Sequence, residues 1–289
     1  MGKPISNFNK TRRPATDDPK QIIELLDAGM SVARINLSHG NSKSTGGIMR
    51  HYAAAKKLRP YKTCALMMDV RGRTLRTSRF AKDVDLLPDD TLEIRTDGIE
   101  ITSTRDEIQL NNVEVPAVIR PEDYIWIGEE GLSAVVTEVA RTSFMVRIAG
   151  QGQLKAGHSY LVKIPGVRIQ NLPMLTFDDR FDCRDLLKQG FDYISLPNVQ
   201  TARDLKEVKL SLHDDCKHIR LFAKIDTIEA IQNYESILKQ ADGIIIVRNE
   251  LGVELSPEKL CIAQRWMVQK ANEASVPIFL QSQVLEAMS

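Results

Sequence analysis

The sequence has no long apolar segment and no excess of charge of either sign. None of its apolar runs approaches the ~20 residues that a helix needs to span a bilayer. Lys and Arg total 39 and Asp and Glu total 38, so there is no polybasic footprint for nucleic acid or an anionic membrane. The basic N-terminal stretch lacks the apolar core of a secretory signal. We therefore expect no nucleic-acid partner and no membrane association.

Cysteine and aromatic residues are also scarce. Aromatic side chains make up 6% of the 289 residues, whereas the hydrophobic share of 43% and the charged share of 27% are ordinary for a globular protein. The four cysteines lie far apart without the paired spacing of a metal site, which favours a reducing, cytoplasmic location. The length allows one large α/β domain or two smaller ones.

The most informative stretch covers residues 32–40, where an apolar run ends in polar side chains and a glycine. Arg34, Asn36 and Ser38 alternate, so on a strand they lie on one face. A helix pattern precedes the stretch and another follows it, which predicts a parallel α/β arrangement with chemistry at the carboxyl end of the strand. Taken by itself, the pattern also fits a strand end that merely happens to be polar.

The remaining chain alternates helix and strand patterns, with one interruption. From residue 83 to residue 163, short alternating runs separated by turn signals predict an all-β insert. The alternation predicts an α/β fold with a TIM (β/α)₈-type barrel interrupted by a small all-β lid domain, and a doubly wound open sheet is the alternative. Residues 5–8 contain few β-branched side chains and predict at most a poor strand. The predicted parts are barrel 1–79, lid 80–165 and barrel 166–289.

Charged or hydroxyl side chains follow several of the apolar strands. These residues are Asp69, Lys224, Asp226, Glu250 and Ser282. In a barrel, the carboxyl ends of the strands converge on one face, where active sites lie. Asp226 and Glu250 supply hard oxygen ligands suited to Mg²⁺, and Arg34 and Lys224 suit a phosphate. The pattern predicts a metal-assisted phosphoryl-transfer or enolate site.

Six motifs, in order, resemble those of the pyruvate kinase family. Residues 34–40 resemble R-L-N-F-S-H-G, residues 68–77 resemble L-D-T-K-G-P-E-I-R-T, and residues 163–166 resemble N-L-P-G. Residues 223–227 resemble S-K-I-E-N, residues 241–254 resemble S-D-G-I-M-V-A-R-G-D-L-G-V-E, and residues 281–288 resemble A-T-Q-M-L-E-S-M. The resemblance implies an interrupted (β/α)₈ barrel whose β insert closes over the substrates.

The resemblance also implies roles for individual residues. The implied catalytic residues are Lys224, Arg34 and Ser282, and the implied substrate-binding residues are Arg34, Lys224, Asn249, Glu250 and Ser282. The implied nucleotide contacts are Arg76 and His39. The implied metal ligands are Asp226 and Glu250 for a divalent cation, and Asn36, Ser38, Asp69 and Val70 for a monovalent one. An active enzyme would use Mg²⁺ or Mn²⁺ and K⁺ with phosphoenolpyruvate and ADP, whereas an inactive chain needs no cofactor.

The sequence departs from the family pattern at several of these places. Asp226 stands where the family has Glu, Glu250 stands where it has Asp, and Asn249 replaces a Gly. Gly-Pro-Glu has become Gly-Arg-Thr at 72–74, Ser-Phe-Val-Arg has become Pro-Asn-Val-Gln at 197–200, and a usually basic lid segment reads Ser-Tyr-Leu at 159–161. We therefore expect a catalytically impaired pseudoenzyme with a structural or binding role. The alternative is a working pyruvate kinase that transfers a phosphoryl group from phosphoenolpyruvate to ADP.

The last residue, Ser289, lies just inside the helix that is expected after strand seven. We therefore expect strand eight and the C-terminal domain of the family to be absent. A barrel that lacks a strand has open edges, which predicts a protein partner or a larger assembly that covers them.

Overall fold

The computed structural model describes residues 5–8, 18–37, 42–97, 102–128, 132–167, 172–212 and 218–281. The chain divides into two compact units, one formed by Met1–Arg73 and Pro173–Ser289 and the other by Thr74–Leu172. The sequence placed the insert at 80–165. The second unit begins earlier because Leu75 and Arg76 already pair with its sheet.

The elements follow one another in three segments. The first segment of the first unit contains β1 (Ile5–Phe8), α1 (Pro19–Asp27), β2 (Val32–Asn36), α2 (Ser42–Leu58) and β3 (Ala65–Asp69). The second unit contains β4 (Leu75–Arg76), β5 (Val84–Leu86), β6 (Thr91–Arg95), β7 (Glu107–Gln109), α3 (Val115–Val118), β8 (Tyr124–Ile127), β9 (Leu132–Val139), β10 (Ser143–Ile148), β11 (Gly152–Leu154) and β12 (Leu161–Lys163). The first unit resumes with α4 (Phe177–Leu187), β13 (Tyr193–Leu196), α5 (Ala202–Ser211), β14 (Arg220–Ile225), α6 (Ile228–Gln232), α7 (Tyr234–Leu238), β15 (Gly243–Val247), α8 (Arg248–Glu254), α9 (Pro257–Glu273) and β16 (Ile278–Gln281).

The first unit is built on a seven-stranded parallel sheet in the order β1-β2-β3-β13-β14-β15-β16. This order follows the chain, whereas a doubly wound sheet reverses its strand order at a switch point. The barrel-type prediction is therefore confirmed and the doubly wound alternative is wrong. Residues 5–8, which propensity marks as a poor strand, pair with β2 from Ile5↔Val32 to Phe8↔Ile35, because register with a neighbour outweighs weak local preference.

The two faces of this sheet are apolar in different ways. Alternate residues such as Ile35, Met68 and Ile246 face the helices and belong to the large core of the unit. The opposite face carries a smaller cluster of five buried residues, namely Val32, Met67, Phe222, Ile245 and Val247. On this second face, the strands are therefore apolar along their length and become polar only at their carboxyl ends.

Local signals explain where the helices of the first unit begin. Asp18 caps α1, and its Oδ1 accepts from the N–H of Lys20 at 3.0 Å. Ile22 and Leu26 form the buried stripe of α1, and Gly29 follows the helix with φ 99°. No helix in the described part of the chain is long and apolar enough to cross a membrane.

The second unit has its own sheets and its own core. Seven strands pair in the order β4-β12-β8-β9-β10-β6-β7, mostly antiparallel, and β5 pairs with β11. Ile94, Phe144 and Val146 are among the buried residues of its core. The short helix α3 interrupts the β pattern, with Pro116 in its first turn. Over its described residues, the insert is therefore a β unit that carries one helical turn.

Candidate functional site

Three charged side chains meet at the carboxyl end of the parallel sheet. Arg34 on β2 and Lys224 on β14 both contact the carboxylate of Asp69 on β3. The Nη2 of Arg34 donates to Oδ2 of Asp69. The Nζ of Lys224 lies 2.7 Å from Oδ1 and 2.8 Å from Oδ2 of the same carboxylate. None of the three residues is more than 5% exposed, so the contacts are shielded from water.

The position of this charged cluster follows from the two-residue period of the strands. Each of the three residues comes two positions after a member of the small apolar cluster, namely Val32, Met67 and Phe222. Because side chains alternate between faces, the charges lie on the same face as that apolar layer and nearer the strand ends. The strand patterns therefore place an apolar floor and a charged layer at one end of the sheet.

The charges determine the ionisation of Asp69. Burial of the Asp69 carboxyl opposes its ionisation, but Arg34 and Lys224 outweigh this effect and hold its pKa below the ordinary value. Asp69 is therefore an anion at neutral pH that orients two cationic side chains. Two fixed cationic donors at a strand end suit a phosphoryl or carboxylate group.

The two predicted divalent-metal ligands follow neighbouring strands. Asp226 comes directly after β14 and is 2% exposed, and its Oδ2 accepts from the backbone N–H of Asn198 at 2.7 Å. Glu250 is half-buried in the first turn of α8, which begins immediately after β15. Asn249 is exposed in the same turn. The sequence did not predict that this polar segment is helical.

Asp226 and Glu250 can be compared with the ligands that a divalent cation prefers. Within the described ranges, no group of three or more His, Cys, Asp and Glu residues is arranged to hold an ion. Mg²⁺ retains several waters and is bound through one or two protein carboxylates together with substrate oxygens. Asp226 and Glu250 follow neighbouring strands and carry carboxylates, the ligand type that Mg²⁺ and Mn²⁺ prefer.

The other predicted site residues fall in different places. Asn36 ends β2 and is the register partner of Asp69, and Val70 is buried and donates its N–H to the carbonyl of Ser195 at 3.2 Å. Arg76 belongs to the second unit, where its Nη2 donates to the carbonyl of Ser159 at 3.0 Å. The predicted residues Ser38, His39 and Ser282 lie outside the described residues.

Buried carboxylates fix the turn that follows Asp69. Asp179 accepts from the N–H of Arg71 at 3.0 Å and from the N–H of Gly72 at 2.9 Å. Asp182 pairs with Nη2 of Arg71 at 2.9 Å. Gly72 has φ 59°, a conformation that glycine adopts without steric cost. The end of β3 is therefore held rigidly against α4.

Sequence reasoning missed Asn198. It treated residues 197–200 only as a departure from a family motif, although Asn198 contacts Asp226 directly. Pro followed by Asn after a strand is a turn signal, and Asn tolerates the left-handed conformation that is found here, with φ 54°. That signal could have identified a structured turn beside the predicted metal ligand.

Comparisons with known proteins agree with the geometry. The family model for the barrel domain of pyruvate kinase matches residues 7–289. The chain is 32% identical over 282 residues to a pyruvate kinase of Eimeria tenella, covering 96% of this chain and 52% of that protein. It is 30% identical over 284 residues to that of Geobacillus stearothermophilus, covering 95% and 46%.

Solved structures give the same result. The Cryptosporidium parvum pyruvate kinase in complex with ADP matches with a TM-score of 0.84 at 28% identity, covering 99% of this chain and 57% of that chain. The chain thus spans about half the length of the relatives that it matches. Its sequence motifs, parallel sheet order and matched relatives agree, and the chain belongs to the pyruvate kinase family.

Proposed function

We propose that the strand-end site binds phosphoenolpyruvate together with a divalent cation, and that phosphoryl transfer to ADP is impaired. The observation that carries the binding proposal is the convergence of Arg34 and Lys224 on Asp69. Their buried donors would attract the phosphoryl group, since charge-assisted hydrogen bonds are strongest where water is excluded. The chain would then act as a phosphoenolpyruvate-binding pseudoenzyme.

Two observations support impairment. The carboxylates Asp226 and Glu250 are exchanged in length relative to the family motif, and Mg²⁺ demands near-ideal octahedral geometry. A misplacement of about 1 Å in a catalytic group can cost roughly 100-fold in rate. In the second unit, the Nε and Nη2 of Arg76 both donate to Ser159, at 3.3 Å and 3.0 Å, so a nucleotide phosphate would compete with Ser159 for this guanidinium.

The second candidate is a working pyruvate kinase. It is favoured by the retained Arg34, Asp69 and Lys224, whose side chains meet as one buried cluster. An oxygen of the ADP β-phosphate would attack the phosphorus, the bond from phosphorus to the enol oxygen would break, and the resulting enolate would take up a proton. Lys224 and Arg34 would hold the phosphoryl oxygens during this transfer. The divalent cation, when bound, supplies further neutralisation of phosphoryl charge.

The binding test is thermal unfolding of the full chain with and without phosphoenolpyruvate in the presence of Mn²⁺. A ligand that binds only the folded state stabilises it, by about 2.7 kcal/mol at 100 times the dissociation constant. We expect wild type to be stabilised and Lys224→Met to lose the effect. Lys209→Met is the matched control, because Lys209 is an exposed lysine of α5 in the same unit. Wild type that gains no stability would contradict both candidates.

A lactate-dehydrogenase-coupled assay of pyruvate formation separates the two candidates. The pseudoenzyme proposal expects binding without appreciable ADP-dependent turnover. Turnover that Lys224→Met abolishes and Lys209→Met retains would overturn impairment and establish the working enzyme.

The proposal also covers the compartment, the protein partners and the monovalent cation of the chain. We propose the cytoplasm as its compartment, because Cys64, Cys183 and Cys261 are free thiols. We also propose a protein partner or a larger assembly, because β16 is an edge of the parallel sheet as described and Leu280 is 41% exposed there. K⁺ would accompany the divalent cation only in the working enzyme, through Asn36, Ser38, Asp69 and the carbonyl of Val70.

A further inference from the structure

We propose that Asn198 is a positioning residue for the carboxylate of Asp226, acting through a tie to Arg73. The inference rests on the divalent-cation role proposed above for Asp226. Asn198 lies in the turn after β13, and β13 is the direct neighbour of β14 in the sheet. It contacts the carboxylate with its backbone and another chain segment with its side chain.

The two contacts of Asn198 point in different directions. Its backbone N–H donates to Oδ2 of Asp226 at 2.7 Å. Its Nδ2 donates to the carbonyl oxygen of Arg73 at 2.7 Å. Asp226 is 2% exposed, so its contact with the N–H is not replaced by water. The orientation of the carboxylate therefore depends on where the turn holds that N–H.

The backbone of the turn is held in an uncommon conformation. Asn198 has φ 54°, in the left-handed region that Asn and Gly enter most readily. The preceding residue, Pro197, packs on Gly72, where a Cβ would lie 2.7 Å from the Cγ of the proline. The turn after β13 therefore contacts the turn after β3 at two successive positions. Pro197 packs on Gly72, and Asn198 donates to the carbonyl of Arg73.

Arg73 is itself anchored at a helix start. Its Nη2 lies 3.0 Å from Oδ1 of Asp204 in the first turn of α5. The other oxygen of Asp204 accepts from the N–H groups of Gln200 and Thr201 at 2.9 Å and 2.8 Å. Asp204 is buried, so this anchor is also shielded from water. A continuous set of contacts thus runs from α5 through Arg73 and Asn198 to Asp226.

The set joins two separate departures from the family motifs. Gly-Arg-Thr at 72–74 and Pro-Asn-Val-Gln at 197–200 both differ from the family pattern, and Arg73 and Asn198 are 125 positions apart. The Asn198 side chain reaches the backbone carbonyl of Arg73, and the Arg73 side chain is held by Asp204, so contacts join the two segments. The joined segments lie next to the position where the family Glu has become the shorter Asp226. A ligating carboxylate held by such a hydrogen bond binds metal better, and the loss of such supports typically costs 10–100-fold in affinity.

The test measures Mn²⁺ binding to the full chain by the electron paramagnetic resonance of free Mn²⁺. Asn198→Gly keeps the left-handed turn and the N–H, and removes only the donor to Arg73. Asn198→Ala also disfavours the left-handed turn. We expect the Mn²⁺ dissociation constant to rise severalfold in Asn198→Gly and about 10-fold or more in Asn198→Ala.

Ser275→Ala is the matched control. Ser275 is an exposed residue after α9 with φ 56°, so alanine there strains a similar turn far along the chain from Asp226. We expect it to lower the melting temperature and leave the Mn²⁺ dissociation constant unchanged. A merely structural role for Asn198 would give that same result in the Asn198 variants.

Asp226→Asn distinguishes the failure of this inference from failure of the proposed function. Wild type that binds Mn²⁺ and loses it in Asp226→Asn, with both Asn198 variants unchanged, would overturn the inference and retain the metal site. Wild type that binds no Mn²⁺, or Asp226→Asn that binds as wild type does, would overturn both. If Asn198→Ala does not fold, the affinity of Asn198→Gly decides the outcome.

Discussion

The ring of Phe222 lies so close to Gly243 that a Cβ at Gly243 would come within 2.1 Å of the ring Cε1. Phe222 is on β14 and Gly243 begins the neighbouring β15. The ring of Phe222 also stacks on Phe279 of β16, with centroids 5.3 Å apart, and meets Tyr193 of β13 at 5.0 Å. The row of rings runs from β13 to β16 beneath the charged cluster. It fits there only because Gly243, at the start of β15, has no side chain.

Gly243→Ala should destabilise the first unit. The new methyl group must displace a ring that is 3% exposed, and overpacking of a core typically costs 1–3 kcal/mol. Gly252→Ala is the control, because a Cβ there meets nothing closer than 4.0 Å and the residue lies in α8. Alanine in a helix is favoured over glycine by about 0.8–1.0 kcal/mol. Urea unfolding should therefore shift in opposite directions for the two variants. Equal shifts would contradict the close approach of Phe222.

Asp69→Asn should be among the most destabilising single changes in the first unit. It removes the carboxylate that Arg34 and Lys224 share, and the breaking of a buried ion pair typically costs 3–5 kcal/mol. Asp27→Asn breaks an ion pair with Arg59 at the surface, where the side chain of Asp27 is 41% exposed and that of Arg59 is 30% exposed. This change should lower the free energy of unfolding much less. Urea unfolding of both variants measures the difference. Similar losses in the two would mean that the Asp69 cluster contributes no more than a surface pair.

The same cluster gives a pH dependence with a defined sign. The pKa of Asp69 is lowered in the folded state, so its ionisation favours folding above the unfolded value of about 3.9. That contribution is lost as the pH falls through the lower folded pKa. We expect the stability gap between wild type and Asp69→Asn to be constant near neutral pH and to shrink only below about pH 4. A gap that shrinks near pH 6 would contradict the lowered pKa.

Much of the charged cluster could be predicted from the sequence because it depends on local pattern. Arg34, Asp69 and Lys224 each lie at the end of an apolar run, and the convergence of strand ends in a barrel predicted that they share one face. The alternation of helices and strands left two strand orders open, that of a barrel and that of a doubly wound sheet, because the order is fixed by pairing between distant segments. The pairing of β1 shows the same limit, since register with β2 outweighs weak propensity there.

The sequence did not reveal the contacts that are made by residues at which the chain differs from the family motifs, because the partners lie far apart in the sequence. Asn198 and Arg73 were read as separate departures from the family motifs, and the 2.7 Å contact from Asn198 Nδ2 to the carbonyl oxygen of Arg73 is visible only in the structure. Tyr160 belongs to the segment 159–161, which was read only as the loss of a usually basic lid segment. Its ring packs against Phe80 at 5.8 Å and it lies among the residues packed on the core of the second unit. Neither relationship leaves a trace in local periodicity.

Tyr160 provides a last prediction, on the second unit. Its hydroxyl oxygen accepts from the backbone N–H of Lys155 at 2.5 Å, and its own N–H donates to Oγ1 of Thr77 at 3.0 Å. Tyr160→Phe keeps the ring against Phe80 and removes only the acceptor, which should cost about 1 kcal/mol. Hydrogen exchange of the Lys155 amide should therefore become about fivefold faster, since a factor of ten corresponds to about 1.4 kcal/mol.

The control for this measurement is Tyr124→Phe, because the side chain of Tyr124 on β8 is 57% exposed. It should leave exchange at Lys155 as it is in wild type. Tyr160→Lys, which puts a basic side chain in this segment, should accelerate exchange more than Tyr160→Phe because it also removes the ring that packs on Phe80. If Tyr160→Lys protected the Lys155 amide as well as wild type does, Tyr160 would not be part of the core of this unit. The acceleration that we expect would show that both the ring and the hydroxyl of Tyr160 stabilise this unit.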